Sequence, residues 1–130
     1  MKIMSVLKNL WTRYIVLRRI TTRIKAVFGY PDVSICLENN EEGLVALLRY
    51  SETREAGGSA EPGCSWHAYR QSGETLYEEY SHDGDINYHD LGRVTMREYF
   101  SCGSYPEGVV LEALKENGLT PDVFVVEVAY

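Results

Sequence analysis

Acidic residues are missing from the opening of this chain: no aspartate or glutamate occurs before Asp32, although the full sequence of 130 residues holds 19. From Met1 to Phe28 there are seven Lys or Arg and no acid, so residues 29–130 carry six basic residues against 19 acidic ones. That is a net charge of −13 within a chain whose total is −6. A long hydrophobic run is missing as well. Arg or Lys interrupts the opening every few residues, which excludes the ~18 apolar residues of a membrane span and the ~7–15 of a secretory leader. An arginine-rich, acid-free start has the composition of an organelle transit segment, but no small-residue cleavage site follows, and a cytoplasmic protein is the expectation.

Cysteine is sparse: Cys36, Cys64 and Cys102 are odd in number and widely spaced. That argues against a disulfide framework and for a reducing compartment. No glycine-rich phosphate loop and no nucleophile elbow occur. Asp83-Gly84-Asp85 lacks the rest of a calcium ladder and reads as a turn. Cys64 and His67 have the reach of half a zinc site, but the second pair would be His82 and His89, too far apart in sequence for the usual spacing. A thiolate paired with an imidazole, Cys64 or Cys102 with His67, His82 or His89, is the one nucleophilic arrangement available. Three of each residue offer such a pair in any fold. No catalytic residue, metal ligand or cofactor is therefore assigned.

What is present is enough for one globular domain of 130 residues. Apolar residues make up 45% and charged residues 25%, which offsets the entropy of ordering the chain. At a seven-residue repeat, positions 3, 7, 10, 14, 17, 21, 24 and 28 are apolar in seven of eight cases. That periodicity predicts an amphipathic helix over residues 1–28, with Met4, Trp11 and Ile15 widening its stripe and Gly29 with Tyr30-Pro31 ending it. The stripe can pack on the body, on a second copy, or in the interface of an anionic membrane. Direct nucleic-acid binding is disfavoured by the acidic body close behind it.

In the body, residues 32–38 and 44–52 alternate as two strands of a hairpin around Asn39-Asn40 and Gly43. Residues 54–65 have loop composition. Residues 65–71 and 75–81 predict a second hairpin across 72–74, and 82–85 turns the chain into 86–90. Residues 90–100 suggest a short helix capped by Asp90, with Thr95 and Glu98 as a weaker capping box. Ser104 with Glu107 predicts the start of a clearer helix that Asn117-Gly118 ends. Residues 122–130 are apolar and β-rich enough for a central strand. The expectation is an α+β domain: a long N-terminal amphipathic helix and a C-terminal helix on one largely antiparallel sheet of four to six strands.

Nine of the ten tyrosines follow Phe28, many beside acids. Tyrosine supplies rigid amphipathic contact area, and surrounding carboxylates steer a basic partner. Tyr77, Glu78, Glu79, Tyr80, Asp83, Asp85, Tyr88 and Asp90 are the predicted contact residues. They point to a small non-enzymatic binding or inhibitor protein that occludes a basic surface on a nucleic-acid-handling protein. By the logic of electrostatics alone, that is how an immunity partner or an anti-defence inhibitor works. Attachment to a membrane or to a twin copy through residues 1–28 is the competing expectation.

Overall fold

The computed structural model describes residues 2–51, 64–82, 85–101 and 105–129; for 2–10, Cys64 and His82 it describes the backbone only. Of the predicted loop over 54–65, residues 54–63 lie outside the described residues, as do Asp83, Cys102 and Ser104, while Cys64 and Ser65 belong to a strand instead, paired across to Ala129 and Val128. The elements run α1 (Lys2–Phe28), β1 (Val33–Asn40), β2 (Gly43–Ser51), β3 (Cys64–Ser72), β4 (Thr75–His82), β5 (Asp85–Asp90), α2 (Met96–Tyr99), α3 (Pro106–Glu116) and β6 (Val123–Ala129). This is the expected α+β architecture, with a single sheet of six strands in the order β1-β2-β6-β3-β4-β5.

The sheet consists of two antiparallel blocks joined by their latest strand. β1 and β2 form one hairpin, and β3, β4 and β5 form a meander. β6 lies between the blocks, parallel to β2 and antiparallel to β3. Its run Val123, Phe124, Val125, Val126 is β-branched and aromatic, suited to a strand with neighbours on both sides. The backbone N–H of Leu44 donates to the Asp122 carboxylate at 2.9 Å, and the Asp122 N–H donates back to the Leu44 carbonyl at 2.8 Å. This reciprocal pair sets the β2–β6 register. Gly43, at φ 104°, is required beside it: a Cβ there would collide with the Asp122 carboxylate.

The helices cover one face. Their core joins Val16, Ile20 and Ile24 of α1 and Val110, Leu111 and Leu114 of α3 to Leu48, Phe124 and Val126 of the sheet. Each fully buried aliphatic side chain contributes ~1.5–3 kcal/mol relative to exposure. The buried side of α1 is rotated from the expected one. Val16, Ile20 and Ile24 form it with Leu17 and Phe28 packed alongside, whereas Tyr14 is exposed and Trp11 lies on the opposite side. A heptad template drifts ~20° per repeat against a straight helix of 3.6 residues per turn. Here that drift moved the expected stripe off the true one.

Two predicted caps also change. Asp90 closes β5 and accepts the Gly92 N–H at 2.7 Å, a local turn. Thr95 caps α2: its hydroxyl oxygen accepts the Glu98 N–H at 3.1 Å, and its O–H donates to the Glu98 carboxylate at 2.8 Å. The N-cap of α3 is Tyr105, with Pro106 in the first turn and no side-chain capping bond. The C-terminus of α3 fits its sequence signal. The Gly118 N–H donates to the Lys115 carbonyl and the Leu119 N–H to the Leu114 carbonyl, both at 2.9 Å, with Gly118 left-handed at φ 73°.

Candidate functional site: the acidic edge of the sheet

β5 is an edge strand on which all six residues are exposed. Between Arg70 and Arg93 the chain carries six acids and no Lys or Arg. Strand alternation then divides the predicted contact residues between two faces. His67 pairs with Val126 and Tyr69 with Phe124, so these positions look toward the helices; Ala68 and Arg70 look the other way. By register, Glu78, Tyr80, Asn87 and His89 share the helix side, and Tyr77, Glu79, Tyr88 and Asp90 share the bare side. Glu78 and Glu79 thus point oppositely, as alternation along a strand requires. Asp83 lies outside the described residues, and Asp85 begins β5.

Tyr77, Glu79, Tyr88 and Asp90 of the bare side border a groove of about 590 Å³ together with Arg70 and Ser72, and its lining also includes Glu78 and His89 of the same two strands. Tyr88 is 74% exposed and Tyr77 45%, large values for aromatic rings that a core could have absorbed. Arg70 holds the groove's inner wall. Its guanidinium donates to Glu42 at 2.8 Å and to Glu79 at 2.7 Å, tying the β1–β2 turn to β4. The hydrogen bond to Glu42 is the largest influence on the Arg70 pKa and raises it; burial opposes that rise, and the bond to Glu79 adds to it. One arginine serves two carboxylates, so the groove keeps an excess of negative charge.

On the helix side, the Glu78 carboxylate is 12% exposed and lies between two imidazoles. Oε2 is 3.4 Å from His67 Nδ1, and Oε1 is 4.0 Å from His89 Nδ1. The Tyr69 hydroxyl also donates to Glu78; burial first, and that bond second, push the Tyr69 pKa far above its ordinary value. Tyr99 is shifted upward too, by burial and then by the Glu78 charge. The rings form a continuous stack: His67 lies over Tyr80 at 5.2 Å and 11°, and Tyr80 meets His89 edge-on at 5.9 Å. The Glu78 carboxylate of β4 thus bonds two side chains of β3, His67 and Tyr69, and stands 4.0 Å from His89 of β5.

Among the described residues, the cluster brings together groups of the acid–base kind with no cysteine thiol beside them. Among the described residues the free cysteine is Cys36, exposed on β1 at the opposite edge. The side chains of Cys64, His82 and Cys102 lie outside the described residues. Among the described residues, no group of three His, Cys, Asp or Glu is arranged to hold a metal ion. Sequence reasoning missed Arg70 and His67 as parts of this edge. Their signal was alternation: with Glu78 facing the helices, His67 and Tyr69 had to face them too.

Comparison with protein-family models, with curated proteins and with solved structures found no match. Fold and site together define a class by construction alone: an α+β protein whose sheet ends in an acidic, tyrosine-bearing edge.

Proposed function

We propose that this is a small non-enzymatic binding protein that covers a basic surface of another protein, one that handles nucleic acid. The observation that carries the reading is the bare side of β4 and β5. Two exposed tyrosines stand there among carboxylates, on an edge with no Lys or Arg between Arg70 and Arg93. A surface that grips phosphates is lined by Arg and Lys, and such groups grip a field of carboxylates equally well. The tyrosines add rigid contact area and a face for cation–π contact with arginine. Among the described residues no strand pairs with the outer side of β5, whose backbone N–H and C=O groups can extend a partner's sheet.

The test is capture from the native lysate on immobilised full-length chain, eluted with rising salt, beside the double variant Glu79→Lys/Tyr88→Ala. The expected result is a basic nucleic-acid-handling protein that salt releases and that the variant binds at least ~100-fold more weakly, the size of an interface hot spot. The same protein captured equally by the variant, or no basic protein captured, removes the reading.

A further inference from the structure

The face of α1 turned away from the core is as distinctive as the acidic edge, and opposite in charge. Trp11, Tyr14, Ile15, Arg18, Arg19 and Thr22 line a shallow groove of about 410 Å³ there. Trp11 is 64% exposed and Tyr14 53%, and their rings stack at 5.8 Å. The helix contains no acidic residue. Among the described residues, Arg18 and Arg19 take part in none of the ion pairs, which fall on Arg49, His67, Arg70, His89, Arg93 and Arg97.

The two faces cannot meet within one molecule. α1 packs on β1 and α3, whereas β4 and β5 are the far strands of the sheet. Five strand spacings of about 4.8 Å separate β1 from β5 by roughly 24 Å of hydrogen-bonded sheet. Complementary charges fixed that far apart on one rigid body can pair with each other only between bodies.

We propose that the outward face of α1 docks on the bare side of β4–β5 of a second copy, head to tail. Arg18 and Arg19 enter the groove between Tyr77 and Tyr88, where they meet the Glu79 and Asp90 carboxylates and the tyrosine faces. Trp11 and Tyr14 cover the apolar rim. The contact uses two different surfaces, so it is heterologous: a head-to-tail pair is left with one free face of each kind, one on each copy, and association continues into a ring or an open chain. The inference shares the hairpin face with the function proposed above, and a basic partner therefore competes with α1 for it.

The experiment uses sedimentation equilibrium of the full-length chain with two surface variants, Arg18→Glu/Arg19→Glu and Glu79→Lys/Tyr88→Ala, each checked for native far-UV circular dichroism. At low salt the wild-type mass rises with concentration, and added salt returns it to monomer. Each variant alone is monomeric. An equimolar mixture of the two forms a heterodimer and stops there, because only one intact pair of faces remains. Wild type that stays monomeric at its highest soluble concentration overturns the proposal. So does self-association that survives in the Glu79→Lys/Tyr88→Ala variant, which would mean α1 packing on α1. Co-sedimentation of a monomeric wild type with anionic vesicles, lost in the arginine variant, would assign α1 to a lipid surface and also overturn it. The lysate capture separates the two ideas. Partner binding lost in the Glu79→Lys/Tyr88→Ala variant, without wild-type self-association, removes only the head-to-tail contact. A heterodimer from the mixture, with no basic partner captured, removes only the occlusion reading.

Discussion

On the helix side of β1, β2 and β6, alternate positions hold Val33, Ile35, Ala46, Leu48, Phe124 and Val126, all buried. On the same side of β4 and β5, beyond Leu76, the corresponding positions hold Glu78, Tyr80, Asn87 and His89. The backbone ladder continues across both regions, so what differs is how each is held down. The first is fixed by apolar burial under α1 and α3. The second is held by one carboxylate and stacked rings, with Glu78 and Tyr80 half-buried and Asn87 and His89 exposed.

The largest effect expected from this contrast is in the covered half. Phe124 is fully buried and touches Phe100 edge-on at 5.8 Å. Phe124→Ala should cost ~3–5 kcal/mol in urea unfolding, from lost transfer energy and the cavity left behind. A loss below ~1 kcal/mol would mean that the apolar half does not carry the fold.

The acidic half should reveal itself through alkali instead. Tyr69 is held protonated in the fold by burial and by Glu78. In the unfolded chain a tyrosine titrates near pH 10. A group whose pKa rises on folding stabilises fully below its unfolded value, and that contribution is lost as pH climbs past it. Stability should therefore fall by up to ~1.4 kcal/mol per pH unit above about pH 10. Urea midpoints on either side of that pH should diverge more for wild type than for Tyr69→Phe. Equal divergence would sever the link between the Glu78 cluster and stability.

The smallest effect belongs to the pair Arg93–Glu74, 3.6 Å apart with both side chains at least 80% exposed. Arg93→Ala should change unfolding free energy by no more than ~0.5 kcal/mol, because solvent screens such pairs. A larger cost would show the rim of the acidic half to be more organised than its exposure implies.

Much of this fold was legible because its signals are local. The hairpin at Asn39–Gly43, the turn after Ser72 and the Asn117-Gly118 helix stop each depend on residues a few positions apart. β6 as a central strand could be read from its unbroken apolar run. Its insertion between β2 and β3 could not, because the Asp122–Leu44 clamp joins residues 78 positions apart. The candidate edge was half legible for the same reason. Its composition named the hairpin, but the division into two faces, and the roles of Arg70 and His67, follow from register with β6. The rotation of the α1 stripe escaped a seven-residue template that a straight helix does not obey.

The position of β6 has a consequence for the order in which the molecule comes into being. A ribosome completes β1–β2 and β3–β4–β5 long before it reaches Val123, yet the two blocks share no hydrogen-bonded ladder except through that strand. Until residues 123–129 emerge, the inner edges of β2 and β3 stand open to any other strand, including those of neighbouring nascent chains. The seventy-odd residues that separate β2 from β6 therefore measure an interval of exposure. Slower translation across α3 would lengthen it.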